Sequence, residues 1–129
     1  MRYLPLLLLF VFACGNATDP ETTTSDATVY ERLSTSDFAA RRAALPAAPL
    51  LDVRTPAEYA AGHLDGAINV DVKAADFSER VKALPKDRPV LVYCQAGGRS
   101  ARACTELQEL GFTEVYELRD GYRSWSTAE

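Results

Sequence analysis

Cysteine and histidine are scarce: 129 residues include three cysteines and one histidine. That is too few for a disulfide-stapled scaffold or for a zinc site built from Cys and His ligands. Basic charge is not in excess either, since 14 Lys and Arg against 18 Asp and Glu leave a formal charge of −4 and a sequence pI near 5.0. Phosphate backbones are bound through clustered positive charge, so nucleic acid is not an expected partner. A membrane-spanning helix takes about 20 apolar residues. The apolar run at the N-terminus, LPLLLLFVFA, covers only residues 4–13. What the chain does have is 47% hydrophobic and 25% charged content, close to globular averages, at a length suited to one folded domain.

Met1-Arg2 ahead of that run gives the positive start, short apolar stretch and small residue of a signal peptide over residues 1–13, so export is expected. Val11-Phe12-Ala13-Cys14 resembles the lipobox of bacterial lipoproteins, whose Cys becomes the lipidated first residue of the mature chain. The resemblance implies a lipid on Cys14 and anchorage to the membrane on the periplasmic side of the cell envelope. The alternative is ordinary secretion with cleavage after Ala13. Residues 15–27, GNATDPETTTSDA, carry no apolar side chain larger than Ala and cannot offset their ordering entropy by burial. Residues 14–27 are therefore expected to be a flexible linker, with a folded domain over 28–129.

Within 28–129, short apolar runs alternate with helical spacings, which predicts an α/β fold with a mainly parallel sheet. Strands are expected at residues 29–33, 50–53, 67–70, 89–93 and 114–118. The PVLVY run at 89–93 is apolar enough for a central strand covered on both faces. Ser34 to Ser36 offer caps for a helix through Phe38 to Leu45, and Thr55-Pro56-Ala57-Glu58 is a capping box with Pro at the first helical position. Gly62 closes that helix. Phe77, Val81 and Leu84 predict another over 76–84, Ala101 to Leu110 a longer one stopped by Gly111, and residues 121–125 open a last one.

The chemistry is expected in the loop between the 89–93 strand and the next helix: Cys94, Gln95, Ala96, Gly97, Gly98, Arg99 and Ser100. Ligands of open α/β sheets bind beyond the carboxyl ends of the strands. A turn with two glycines, at a helix N-terminus, lets backbone N–H groups form an anion cradle. Cys94 inside it would have its thiolate favoured by those groups and by the Arg99 charge, making sulfur nucleophilic near neutral pH. The competing reading is a buried core cysteine at a strand end.

These residues resemble the rhodanese family across 28–125. Cys94 to Arg99 looks like the six-residue active-site loop of that family, opening with Cys and closing with Arg. Leu51-Asp52-Val53-Arg54, then Glu58-Tyr59, then GHLDGAIN at 62–69 are similar to its upstream signature, and residues 121–125 to its downstream one. The resemblance implies a rhodanese-like fold with helices on both faces of the sheet. It also implies a sulfurtransferase that takes the outer sulfur of thiosulfate or a similar donor onto Cys94 as a persulfide and passes it to a thiol or cyanide. Backbone amides of residues 95–100 would bind the anionic sulfur and Arg99 would steer the donor; no metal or organic cofactor is implied. Related phosphatases and arsenate reductases use a loop one residue longer. Here four residues separate Cys94 from Arg99, which favours sulfur transfer. A non-catalytic sulfur carrier or binding module would keep the same loop and remains the main alternative.

Supporting residues follow from position. Asp52 and Arg54 fall at a strand's carboxyl end, where they can pair and brace the loop. His63 is expected to be a hydrogen-bonded turn residue rather than a base, because an ionised thiolate needs none. Cys104 sits on the apolar face of the following helix and is expected as a buried free thiol. Arg119-Asp120-Gly121 departs from the family's frequent Gly-Gly pair, replacing backbone freedom with a charged residue at the rim.

Overall fold

Strand and helix alternate along the chain as β1 (Val29–Leu33), α1 (Thr35–Ala44), β2 (Leu50–Asp52), α2 (Pro56–Ala61), β3 (Ile68–Asn69), α3 (Phe77–Val81), β4 (Val90–Tyr93), α4 (Gly98–Glu109), β5 (Glu114–Leu118) and α5 (Gly121–Ala128). This is a computed structural model, and it describes residues 28–128. The signal peptide, Cys14 and the linker expected at 14–27 lie outside the described residues.

The sheet has the order β1-β5-β4-β2-β3, and every pairing is parallel. β4 lies at its centre with all four residues buried, because its alternation feeds two cores at once. Val90, Val92 and Cys94 face the side packed with Phe77 and Val81 of α3 and Ala103, Cys104 and Leu107 of α4. Leu91 and Tyr93 face the other side, with Phe38 of α1 and Trp125 of α5. Phe38 and Trp125 meet edge to face with ring centroids 6.2 Å apart, joining the first helix to the last.

Local chemistry sets the ends of the helices. Ser34 caps α1 by accepting from the Asp37 N–H. Thr55 and Glu58 form the reciprocal capping box at the head of α2, with Pro56 in its first turn. α3 is shorter than the apolar spacing predicts: it stops at Val81, three residues before Leu84. Pro85 disfavours helical backbone at the residue before it, so the last turn loosens and Leu84 donates instead to the Val81 carbonyl.

Candidate active site

β4 delivers Cys94 at its carboxyl end, and the chain turns through Gln95 to Gly97 into the N-terminus of α4. Gly97 makes the turn with φ +105, a left-handed conformation that side chains avoid. A Cβ there would also lie 2.2 Å from the Arg119 carbonyl oxygen. Gly98 differs: its φ is not positive and nothing stands within 4 Å of its missing Cβ. The other wall is Gly121, at φ +72, where a Cβ would stand 2.4 Å from the Gln95 carbonyl. Tyr122 and Arg123 donate their N–H groups to the Cys94 and Gln95 carbonyls at 2.8 and 3.1 Å, so the head of α5 holds the loop from outside. No residue other than glycine has positive φ among the described residues. Asp120 therefore fits the turn without strain, and Arg119 pairs with it at 3.3 Å on the exposed rim.

Cys94 is buried, with its Sγ 3.0 Å from the donating N–H of Gly97 and its thiol donating to Ser100 Oγ at 3.3 Å. Burial pushes the thiol up, but the hydrogen bonds that the Ser100 hydroxyl and the Ser100, Gly97 and Ala96 amides can give the thiolate outweigh it, leaving Cys94 below the ordinary thiol value. Cys104 is its opposite. It is buried and free, and burial first, then the charge of Glu117, push its thiol far up.

Arg99 has a partner that the sequence reading does not supply. Its guanidinium is clamped by Glu58, with Nη1 to Oε1 at 2.6 Å and Nη2 to Oε2 at 2.9 Å. The largest influences favouring the thiolate are the Ser100 hydroxyl and the loop amides, and the Arg99 charge is attracted to Cys94 as well. Because Glu58 is also the capping-box residue of α2, one carboxylate ties that helix's first turn to the loop.

Asp52 and Arg54 come together in a buried ion pair, Nη2 to Oδ2 at 2.7 Å. Arg54 donates onward to Gln95 Oε1 at 3.1 Å and to the Gly62 carbonyl at 2.7 Å, and its guanidinium lies 4.4 Å from the centroid of the Tyr122 ring. Tyr93 donates to the same Asp52 oxygen at 2.7 Å. His63 stacks on Tyr59 at 3.7 Å between centroids, with Nδ1 2.8 Å from the Tyr59 carbonyl oxygen.

A family model for the rhodanese-like domain matches residues 34–128. The chain belongs to the rhodanese-like family. It is 42% identical over 81 residues to the thiosulfate sulfurtransferase GlpE of Pseudomonas fluorescens, covering 62% of this chain and 72% of that one. It is 39% identical over 84 residues to the uncharacterized protein YqhL of Bacillus subtilis, a match spanning 65% of each chain. The solved human single-domain sulfurtransferase TSTD1 superposes with a TM-score of 0.62 at 27% identity, over 76% of this chain and 96% of that one. A rhodanese-related protein from Thermoplasma volcanium gives 0.65 at 29% identity, over 77% and 93%.

Within this rhodanese-like site, sequence reasoning missed Glu117. It is wholly buried and accepts the Ser100 hydroxyl at 2.7 Å, the Arg32 Nε at 3.0 Å and the Tyr30 hydroxyl. The available signal was its position two residues after Val115, on the same face of a strand that is buried from Val115 to Leu118.

Proposed function

We propose that this protein is a sulfurtransferase working through a Cys94 persulfide. The Cys94 thiolate attacks the outer sulfur of thiosulfate or a similar donor. A bond forms from Sγ to that sulfur, the donor's S–S bond breaks, and its electron pair leaves with sulfite. A thiol or cyanide then attacks the outer sulfur, and Cys94 departs as the thiolate.

The observation that carries this reading is the seat of Sγ: 3.0 Å from the Gly97 N–H at the head of α4, in a loop with four residues between Cys94 and Arg99. Such a cradle stabilises the anionic sulfur that both half-reactions require. The name of the GlpE relative supports thiosulfate as donor. A cleft of ≈ 420 Å³ opens beside Gln95, lined by Arg54, Glu58, Tyr122 and Arg123, and gives an acceptor room to approach. We also propose that the domain works outside the cytoplasm, exported by residues 1–13 and held to the membrane through Cys14.

Incubation with thiosulfate, followed by non-reducing mass spectrometry, is expected to add one sulfur to the peptide containing Cys94. Cys94→Ser is expected to abolish both that gain and cyanide-dependent turnover, since an alcohol is not ionised near neutral pH. Substantial transfer by the variant would reject the mechanism.

A further inference from the structure

Glu117 carries more than a structural pairing, because of how its donors are divided. Its carboxylate takes the Tyr30 hydroxyl and Arg32 Nε on one oxygen, and Ser100 Oγ at 2.7 Å with Arg32 Nη2 at 3.3 Å on the other. The Ser100 hydroxyl has a single hydrogen. While that hydrogen points at Glu117, the Ser100 oxygen offers only lone pairs to Cys94 at 3.3 Å, and it accepts the thiol hydrogen. A thiolate has no hydrogen to give and would draw the Ser100 hydrogen to itself. Carboxylate and thiolate therefore compete for one proton donor.

The competition is confined to one state of the sulfur. In the persulfide, Sγ is bonded to carbon and to the outer sulfur and carries neither proton nor charge, so the Ser100 hydrogen can stay on Glu117. Turning that hydrogen toward a thiolate leaves Glu117 still held by Tyr30 and Arg32, so no buried carboxylate is stranded. The groups facing Glu117 are Tyr30 and Arg32 from β1 and Ser100 and Cys104 from α4, with Cys94 beyond Ser100. Cys104, its thiol pushed up by burial and by Glu117, stays neutral and does not enter the exchange.

We propose that Glu117 is a positioning residue for Cys94 that acts through the Ser100 hydroxyl, favouring the resting thiol and the loaded persulfide over the bare thiolate. This deepens the sulfur-transfer reading and rests on it for its functional meaning.

The test is the pH profile of Cys94 alkylation by iodoacetamide in the full chain, with Cys94 distinguished from Cys14 and Cys104 by peptide mass spectrometry. Glu117→Gln is expected to move the profile to lower pH and raise the rate at pH 6 by about three- to tenfold. Tyr30→Phe removes one of the carboxylate's other donors, tightens its hold on Ser100, and is expected to move the profile the opposite way. In a Ser100→Ala background the Glu117→Gln effect is expected to shrink by roughly half or more. An unchanged or upward-shifted profile in Glu117→Gln overturns the inference, and so does an effect undiminished by Ser100→Ala. If Glu117→Gln fails to fold, Tyr30→Phe carries the test, and an unchanged or downward-shifted profile there overturns the inference. Alkylation needs no sulfur donor. A protein that fails to gain sulfur from thiosulfate would therefore reject the proposed function while leaving the alkylation result to stand or fall alone.

Discussion

At the residue scale, the site rests on charges that other charges hold in place. Asp52 and Arg54 are both buried, so removing one charge strands the other away from water. Asp52→Asn is expected to cost about 3–5 kcal/mol, read as a lower urea midpoint; a loss under about 1 kcal/mol would show that Gln95 and the Gly62 carbonyl suffice to hold Arg54. The Arg99–Glu58 clamp is more exposed and weaker. The Arg99 hydrogen bonds hold the Glu58 carboxyl down to about 2, below its ordinary value of 4.5. Its folded value lies below the unfolded one, so the clamp's contribution is complete above about pH 4.5 and disappears as pH falls toward 2. With both partners part-exposed, that contribution is about 0.5–1 kcal/mol, and Glu58→Gln should remove it at pH 7 but change nothing near pH 2. Arg99→Ala removes the charge expected to steer the anionic donor and should raise the KM for thiosulfate several-fold. The same change should shift the Cys94 alkylation midpoint by less than about 0.3. A larger shift would return the thiolate's stabilisation to Arg99.

At the scale of elements, the two loop glycines separate cleanly. Gly97→Ala sets a Cβ 2.2 Å from the Arg119 carbonyl oxygen at a backbone angle alanine avoids, and should cost more than about 1–2 kcal/mol. Gly98→Ala enters open space in the first turn of α4 and should leave stability unchanged or raise it by up to about 1 kcal/mol. Thermal melts of the two variants decide the matter, and equal melting temperatures would contradict the assigned turn. Nothing in the sequence distinguishes these neighbours, because the difference lies in what packs across the loop. Features settled within a few residues were legible: the Thr55–Glu58 capping box, the Ser34 cap, and the doubly covered β4. So was the strand-loop-helix setting of Cys94. The bond from Ser100 to Glu117 and the grip of Glu58 on Arg99 were not, since each joins residues on different elements whose meeting depends on strand order. The period of Phe77, Val81 and Leu84 predicts a helix to Leu84, and the local effect of Pro85 ends it at Val81.

At the scale of the whole molecule, location is the property most open to direct test. On the proposed lipid anchorage, Cys14→Ser should move the protein from the membrane to the soluble or unprocessed fraction. An identical distribution would favour ordinary secretion or an uncleaved anchor. The strand order bears on the same journey. Among the described residues β1 pairs with β5 alone, so Val29 waits for Glu114 and Leu33 for Leu118. During synthesis β1 stays without this neighbour until β5 has emerged, and closing so long a loop is slow. A ribosome-bound chain halted before Glu114 would therefore remain protease-sensitive along Val29–Leu33. On the proposed export, a polypeptide that must cross a membrane as an open thread is thus kept threadable by its own topology until β5 is made.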